Sequence, residues 1–220
     1  MTKLSTVFFD LDGTLADTAP DLAHAVNVLR REQGKPTLPY EVIRPVASHG
    51  SPGLLKLGFG ITAQDPAYPP LRKRFLEIYA EQICLETRLF PGIPELLTEL
   101  SGRGLKWGIV TNKPAFLTEP LVHALNPVPA PTCIVSGDST GNRKPHPEPM
   151  LRACECAGSR PQECLYLGDA ERDIQAGRDA GMRTLVALFG YIGEDETPQN
   201  WNADGMIHHP RELLDWLDAH

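Results

Sequence analysis

The sequence predicts an α/β protein: a doubly wound parallel sheet with a small helical unit inserted after its first strand. Three observations indicate this class. Short apolar runs recur along the chain, helical stretches separate most of them, and the region from about residue 17 to residue 82 shows helical patterns without a strand. Alternating strands and helices are typical of a parallel sheet that helices cover on both faces.

The predicted strands are short apolar runs in which polar and apolar residues do not strictly alternate. Strands of a parallel sheet are buried on both faces, so continuous apolar runs are expected there. The first such run is Val7-Phe8-Phe9. In chain order the predicted strands are 6–9, 105–110, 133–135, 164–167, 183–188 and 205–208.

The helices between these strands are predicted from apolar spacing and from the glycines that follow them. Leu96, Leu97 and Leu100, for example, fall on one side of a helix. Glycine commonly ends a helix because it adopts the left-handed backbone conformation without strain. The predicted helices are 94–101 before Gly102, 149–157 before Gly158 and 170–180 before Gly181.

The region between the first two predicted strands contains two helical patterns. Thr18 is predicted to cap a helix whose apolar residues, from Leu22 to Leu29, fall on one face. A second pattern follows Pro69-Pro70 and runs from Leu71 to Gln82. We therefore predict two domains: a core of residues 1–15 and 83–220, and a helical domain of residues 16–82.

The composition is that of an ordinary soluble protein. The 220 residues are 41% hydrophobic and 22% charged, with a net charge of −7. A negative charge balance counts against nucleic-acid binding, which needs a basic face. No apolar run approaches the ~20 residues of a membrane span, and the N-terminus shows no secretion signal. We therefore expect a cytoplasmic protein that binds a small molecule, as a monomer or a homodimer.

Polar side chains follow four of the predicted strands, at or beyond the points where the strands end. Ligands gather outside the carboxyl ends of the strands in an open parallel sheet, so these side chains are expected to meet at one site. Asp10 and Asp12 are two residues apart, so on an extended backbone both point the same way. The full set is Asp10, Asp12, Thr111, Asn112, Lys144, Asp169 and Asp173.

This set of side chains suits the transfer of a phosphoryl group. Several acids in one crevice need a cation, and Mg²⁺ prefers a few carboxylates, waters and a phosphate oxygen. Lys144 could neutralise phosphate oxygens, and Thr111 could donate a hydrogen bond to them. A carboxylate can also attack phosphorus and form an aspartyl phosphate.

The polar residues belong to four motifs that occur in order along the chain: DLDGT, VTNKP, KPHPEP and GDAERD. Together these resemble the motifs of the haloacid dehalogenase (HAD) superfamily of phosphatases. The resemblance implies a Rossmann-like core, and it implies that residues 16–82 are the helical cap of the superfamily's first (C1) subclass. Such a cap closes over the site, excludes water and recognises the substrate.

The resemblance also implies a role for the catalytic and phosphate-binding residues. Asp10 is the nucleophile that becomes phosphorylated. Asp12 protonates the leaving oxygen and then deprotonates the attacking water. Thr111, Asn112 and Lys144 bind the phosphate of the substrate, and Thr111 and Lys144 thereby also assist catalysis.

The magnesium ligands that the resemblance implies come from the first and last motifs. They are the Asp10 carboxylate, the Asp12 backbone carbonyl and the Asp169 carboxylate, with Asp173 close by or acting through a water. An aspartate at a strand end is also commonly a turn residue or a helix cap. For Asp173 both interpretations stay open.

Small residues at 47–53, between the helical patterns, form a predicted specificity loop. Backbone amides there could reach an anionic group of the substrate, and Ser48, His49 and Gly50 are the candidate substrate-binding residues. An ordinary turn between helices is the alternative. Lys113, within the second motif, is predicted to be solvated rather than bound to phosphate.

Two features narrow the resemblance within the superfamily. DGTLADT and TNKP resemble bacterial phosphoglycolate phosphatases. Gly190-Tyr191-Ile192, followed by Pro198, Asn200-Trp201 and Ala203-Asp204, resembles a subgroup that dephosphorylates N-acetylmuramic acid 6-phosphate in cell-wall (peptidoglycan) recycling. Both substrates carry a phosphomonoester and a carboxylate, and the sugar phosphate is the one that we favour.

Three alternatives stay open from the sequence. A sugar phosphomutase similar to β-phosphoglucomutase keeps both acids but usually has a different residue where Thr14 stands, and it would isomerise a sugar 1-phosphate without net release of phosphate. A phospho-aspartate signalling domain has similar polar residues, but such domains are much shorter and lack a helical cap. A binding module without catalysis would not need the complete catalytic set.

Overall fold

The computed structural model describes residues 3–220, and it contains a strand at each of the six predicted places. In chain order the strands are β1 (Thr6–Phe9), β2 (Ala16–Asp17), β3 (Arg88–Leu89), β4 (Lys106–Val110), β5 (Ile134–Val135), β6 (Cys164–Gly168), β7 (Arg183–Ala187) and β8 (Gly205–Ile207). Six of them form one sheet in the order β5-β4-β1-β6-β7-β8, and every pairing in it is parallel. The predicted α/β class is confirmed.

Helices cover the sheet and fill the region between β2 and β3. In chain order they are α1 (Ala19–Glu32), α2 (Tyr40–Ile43), α3 (Gly50–Phe59), α4 (Tyr68–Glu81), α5 (Ile93–Gly102), α6 (Ala115–Leu125), α7 (Glu148–Ala157), α8 (Glu171–Asp179) and α9 (Glu212–Ala219). The three predicted core helices are α5, α7 and α8, and their ends agree with the structure to within one residue. None of the helices within residues 3–220 is both long and apolar enough to cross a membrane.

Alternate side chains of β1 point into two separate cores. Val7 and Phe9 belong to the larger core, which also contains Leu97 of α5. Phe8 belongs to the smaller core, together with Met150 of α7. The strand is therefore buried from both sides, which explains why its sequence is continuously apolar.

Helices α1 to α4 form a lobe that β2 and β3 flank in the chain. These two strands pair antiparallel, with Ala16 opposite Leu89 and Asp17 opposite Arg88. The sequence analysis missed this ribbon because each strand is only two residues long and shows no apolar run. The boundaries of the two predicted domains stay a prediction.

Thr18 lies at the N-cap position of α1, but its hydroxyl makes no capping hydrogen bond. The hydroxyl donates instead to Asp12 Oδ1 at 2.6 Å. The prediction that Thr18 caps the helix through its side chain is therefore wrong. The physical reason lies in the backbone: Thr18 has φ −95° and ψ −6°, a helical conformation, whereas a residue that caps through its side chain is usually extended.

Candidate active site

The first predicted motif lies at the centre of the carboxyl edge of the sheet. β1 is flanked by β4 and β6, and Asp10 directly follows its last residue. The Asp10 backbone N–H continues the sheet ladder by donating to the Leu167 carbonyl at 2.9 Å. The Leu11 N–H donates to Asp10 Oδ1 at 2.8 Å. These bonds fix Asp10 where it lines a cavity of about 650 Å³.

Asp12 lines the same cavity as Asp10, as the spacing of two residues predicts. Its Oδ1 accepts hydrogen bonds from Thr18 Oγ1 at 2.6 Å and from Lys113 Nζ at 2.7 Å. Its side chain is 15% exposed. One carboxylate oxygen is thus held by two donors while the side chain keeps access to the cavity.

Lys113 is not solvated, contrary to the sequence prediction. Its side chain is 7% exposed, and Nζ lies 2.7 Å from Asp12 Oδ1 and 3.3 Å from the Tyr79 hydroxyl. Burial alone would lower the pKa of Lys113, but the charge of Asp12 and the contact with Tyr79 outweigh it and raise that pKa. Burial also raises the pKa of Tyr79 to about 12. The carboxylate of Asp12 thus supplies the partner that a buried ammonium group needs.

Lys144 is buried and pairs with two of the predicted acids. Its Nζ lies 2.9 Å from Asp10 Oδ1 and 2.7 Å from Asp173 Oδ1. It also donates to the Val110 carbonyl at 2.9 Å and to the Tyr166 hydroxyl at 2.8 Å. These four oxygen partners fix a positive charge beside Asp10.

Three buried carboxylates, those of Asp10, Asp169 and Asp173, offer oxygen atoms within 4.8 Å of one another. Lys144 and Arg172 are the cations that act on this cluster, so three negative charges face two positive ones. A buried cluster of hard oxygen ligands with a negative balance fits a divalent cation. These residues could therefore hold a metal ion.

The electrostatics of the cluster support this fit. Desolvation, together with the charges of Asp10 and Asp173, raises the pKa of Asp169 to about 7. Burial also raises the pKa of Asp10, against the opposing charge of Lys144. A cation at the cluster would stabilise the ionised form of each carboxylate. The Asp169 carboxylate accepts hydrogen bonds from Thr14 Oγ1 at 3.2 Å, Ser48 Oγ at 2.5 Å and the Tyr191 N–H at 2.9 Å.

Asp173 is the third residue of α8, and its side chain both binds the N-cap backbone and belongs to the acid cluster. Its Oδ2 accepts the Ala170 N–H at 3.1 Å, just before α8 begins at Glu171. Its Oδ1 points to Lys144 Nζ at 2.7 Å without hydrogen-bond alignment. The structure thus shows the helix-terminus contact and places Asp173 beside the other acids, while its part in binding a metal stays a prediction.

Two glycines are required for the backbone to come this close to Asp169. Gly13 has a φ of +84°, and a Cβ there would lie 2.1 Å from Asp169 Oδ2. A Cβ on Gly190 would lie 2.3 Å from the Cβ of Asp169. Any side chain at either position would displace the carboxylate from the cluster.

Thr111 and Asn112 follow β4, and both line the cavity. Thr111 Oγ1 accepts the Lys113 N–H at 3.1 Å, so its own proton stays available for a ligand. The Asn112 side chain exchanges two hydrogen bonds with the backbone of Lys144, at 2.9 Å and 3.0 Å. Asn112 thus fixes the segment that carries Lys144, and its contact with a phosphate stays a prediction.

Residues 47–53 are a helical junction, not the predicted loop. A 3₁₀ turn, Arg44–His49, leads directly into α3, which begins at Gly50. Pro52 is compatible with this because it lies in the first turn of α3, where a missing N–H breaks no helical hydrogen bond. The candidate residues Ser48, His49 and Gly50 do line the cavity.

Ser48 joins the helical lobe to the acid cluster. Its hydroxyl donates to Asp169 Oδ2 at 2.5 Å, and its carbonyl accepts from Arg172 Nη2 at 2.6 Å. The neighbouring His49 lines the cavity with its side chain 48% exposed, and partial desolvation and the charge of Arg172 lower its pKa against the opposing charge of Glu196. A substrate contact by Ser48 or His49 stays a prediction.

The sequence analysis missed the wall that α4 contributes to the cavity. Arg72, Phe75, Leu76 and Tyr79 line it from this helix. Their spacing of i, i+3, i+4 and i+7 places them on one helical face. An arginine and a tyrosine within an otherwise apolar stripe were the signal that could have found them.

The chain matches proteins of known family along nearly its whole length. The family model of haloacid dehalogenase-like hydrolases matches residues 7–187. An N-acetylmuramic acid 6-phosphate phosphatase from Pseudomonas aeruginosa is 41% identical over 216 residues, which are 98% of this chain and 96% of the relative. A phosphoglycolate phosphatase from Xanthomonas campestris is 39% identical over 207 residues, which are 94% of this chain and 93% of the relative.

Solved structures share the fold. A predicted phosphoglycolate phosphatase from Haemophilus somnus, known from its crystal structure, has a TM-score of 0.86 and 26% identity, over 98% of this chain and 99% of its own. The matches confirm the predicted superfamily and the predicted enzyme class, a phosphatase. Because the family model and the relatives cover the core motifs and the lobe together, the chain belongs to the haloacid dehalogenase-like hydrolases.

Proposed function

We propose that the chain hydrolyses a phosphomonoester through a phosphorylated Asp10 and that it requires Mg²⁺. The observation that supports this best is the arrangement around Asp10. An oxygen of its carboxylate lies within 4.8 Å of oxygens from Asp169 and Asp173. Asp10 Oδ1 also lies 2.9 Å from Lys144 Nζ. Phosphoryl transfer depends mainly on such positioning and on charge neutralisation.

In the proposed first step, Asp10 attacks phosphorus through Oδ2. Oδ1 is engaged by Lys144 and by the Leu11 N–H, whereas no described residue hydrogen-bonds to Oδ2. A bond forms between Oδ2 and phosphorus, and the bond from phosphorus to the ester oxygen breaks with its electron pair. Asp12 holds a proton in the loaded site, where the negative charge of the phosphate favours the protonated form, and gives that proton to the ester oxygen. The products are the free alcohol and an aspartyl phosphate.

In the proposed second step, Asp12 takes a proton from a water whose oxygen bonds to phosphorus. The bond between phosphorus and Asp10 breaks, and inorganic phosphate leaves. Because Thr18 and Lys113 both bind Asp12 Oδ1, the other carboxylate oxygen is left for these proton transfers. Thr111 is the proposed hydroxyl donor to the phosphate in both steps.

Asp10, Asp169 and Asp173 are the proposed carboxylate ligands of Mg²⁺, with the Asp12 backbone carbonyl as a further ligand. When bound, Mg²⁺ would neutralise the negative charge that the acids and the phosphate bring together. The excess of buried acids over cations in the cluster supports this assignment.

The lobe of residues 16–82 is the proposed cap. It contacts the core motifs through several hydrogen bonds, among them those of Ser48 with Asp169 and of Tyr79 with Lys113. The cavity is lined from both sides, by the motif residues and by the lobe. Such a cap would exclude water while Asp10 is being phosphorylated.

The proposed substrate is N-acetylmuramic acid 6-phosphate. The cavity of about 650 Å³ has room for roughly 20 water molecules, far more than a two-carbon acid phosphate displaces. Leu22, Phe75 and Leu117 give it apolar walls against which a sugar ring and its acetyl group can pack. The Pseudomonas aeruginosa relative that bears this name is 41% identical to the chain.

The second candidate substrate is 2-phosphoglycolate, because a relative named for it is 39% identical. Phosphate release from each compound, measured with Mg²⁺, tests both. We expect release that Asp10→Asn abolishes and that chelation of Mg²⁺ stops, with the higher kcat/KM for the sugar phosphate. Release that persists in Asp10→Asn would contradict the mechanism, and isomerisation without release would indicate a phosphomutase.

A further inference from the structure

We infer that Arg72 binds the carboxylate of the substrate and thereby selects acidic phosphomonoesters, an inference that rests on the proposed function. Arg72 lies on α4 and lines the cavity that also contains Asp10 and Asp12. Its Nε donates to Ser51 Oγ at 3.2 Å, and Ser51 lines the cavity too. The lobe thus presents an oriented guanidinium to the space in which the substrate would lie.

The charge of Arg72 is not neutralised by the protein. Within residues 3–220, no carboxylate lies within 4.0 Å of it, and Nη1 and Nη2 make no hydrogen bond to another described residue. Its neighbours on α4 behave differently: Arg74 pairs with Glu32 at 2.7 Å, and Lys73 is 80% exposed. An unpaired cation in a half-buried cavity is suited to an anionic ligand, because the ligand supplies the missing partner.

Two other cations that line the cavity are already engaged. Lys113 pairs with Asp12 at 2.7 Å. Arg172 donates to the Ser48 carbonyl at 2.6 Å, and its charge acts on the buried acids. Lys113 cannot take up a substrate carboxylate without giving up Asp12, and the charge of Arg172 already offsets that of the buried acids.

Arg143 is the competing candidate among the described residues. It also lines the cavity, it is exposed, and its Nε donates to the Gly137 carbonyl at 2.6 Å. It directly precedes Lys144, so it belongs to the side of the cavity where the phosphate is proposed to bind. Arg72 belongs to the lobe, where the remainder of the substrate would be recognised.

Arginine suits this task because its planar fork can bind both oxygens of a carboxylate at once. The bond between Nε and Ser51 leaves Nη1 and Nη2 for that contact and restricts the side chain before the ligand arrives. A second anionic group on the substrate would otherwise meet repulsion from Asp10 and Asp12 in the same cavity. Phosphate esters without a second anionic group do not need this cation.

The test compares ligands that differ in the carboxylate. N-acetylmuramic acid 6-phosphate is paired with N-acetylglucosamine 6-phosphate, which lacks the lactyl group, and 2-phosphoglycolate is paired with ethyl phosphate. For Arg72→Gln we expect kcat/KM to fall roughly 10- to 100-fold for the acidic member and less than about threefold for its partner. Arg72→Lys should lose part of the preference, because a lysine offers a point charge without the fork. Lys73→Gln removes the same charge from the exposed side of α4 and is the matched control. It should leave kcat/KM unchanged for both members of each pair.

A binding measurement separates this inference from the proposed function. In an Asp10→Asn background, calorimetry of the same ligands needs no turnover, and Arg72→Gln should weaken the acidic ligands by a similar factor. Absence of hydrolysis by the unmodified enzyme would therefore overturn the proposed function, whereas the binding ratios decide the role of Arg72. The inference is overturned if the Asp10→Asn protein does not distinguish the paired ligands. It is also overturned if Arg72→Gln leaves the preference intact, or if Arg143→Gln removes it instead.

Discussion

Lys113 Nζ lies 2.7 Å from Asp12 Oδ1, so the second motif supplies the counter-ion of the first. The two residues come from the ends of neighbouring strands, β4 and β1. The ammonium also lies 4.6 Å from the centre of the Tyr79 ring on α4. One ion pair therefore links two core motifs and the helical lobe at the residue that is the proposed proton donor.

Replacing Lys113 by Met should lower kcat by about 10- to 100-fold, because Asp12 loses a donor that fixes its carboxylate for proton transfer. Thr18→Val removes the other donor without removing a charge and should have a smaller effect. Steady-state kinetics at saturating Mg²⁺ measure both variants. An unchanged kcat in Lys113→Met would show that the ion pair has no part in the reaction.

Gly13→Ala should abolish turnover, whereas Gly34→Ala should not. Both glycines have positive φ, so each substitution costs roughly 1–2 kcal/mol of backbone strain. Only at position 13 would the new Cβ meet Asp169 Oδ2, at 2.1 Å; at Gly34 nothing lies within 4 Å. Urea unfolding and phosphate release measured on both variants separate strain from loss of the site. Equal activity losses in the two variants would refute the steric argument.

Mg²⁺ should stabilise the folded protein, because the acid cluster exists only in the native state. At 100 times its Kd, the ion adds about 2.7 kcal/mol, which raises Tm by roughly 5–10 °C for a chain of this size. Asp169→Asn should lose this increase in thermal unfolding experiments, while Asp195→Asn, on an exposed residue, should keep it. A full increase in Asp169→Asn would place the ion elsewhere.

His49 should be neutral at pH 7. Partial desolvation and the charge of Arg172 lower its pKa from 6.5, so below pH 6.5 the folded protein binds fewer protons at this site than the unfolded chain does. The contribution of His49 to the free energy of unfolding therefore decreases as the pH falls from 6.5 through the lowered pKa. An NMR titration, with His49→Gln to assign the resonance, measures the midpoint. A midpoint above 6.5 would contradict this prediction.

The sheet could be predicted from the sequence because burial on both faces leaves a local signal. A strand is predicted at Val7, Phe8 and Phe9 because all three are apolar, although their side chains enter two different cores. The ribbon of β2 and β3 could not be found in this way, because two-residue strands have no pattern and the pairing joins Ala16 to the distant Leu89. The junction at 47–53 was misread for a related reason: glycine, serine and proline are common in turns and in the first turn of a helix alike.

The acids and Lys144 could be placed at one site because the ends of parallel strands converge at one edge of the sheet. The partners of individual side chains could not be placed, since these depend on packing between distant segments. A lysine just after a strand is usually solvated, and nothing in the sequence near Lys113 indicates that its side chain binds Asp12. Arg72 is the first of three consecutive basic residues on α4, and only the orientation of the helix shows that it faces the cavity.

The central proposal is that Asp10 carries the phosphoryl group, and one trapping experiment tests it most directly. The enzyme is mixed with Mg²⁺ and substrate, quenched in acid within milliseconds and treated with borohydride, which reduces an aspartyl phosphate to homoserine. Peptide mass spectrometry should then find homoserine at position 10, and not in the Asp10→Asn protein. Homoserine at a different aspartate, or none at all while phosphate is being released, would contradict the account.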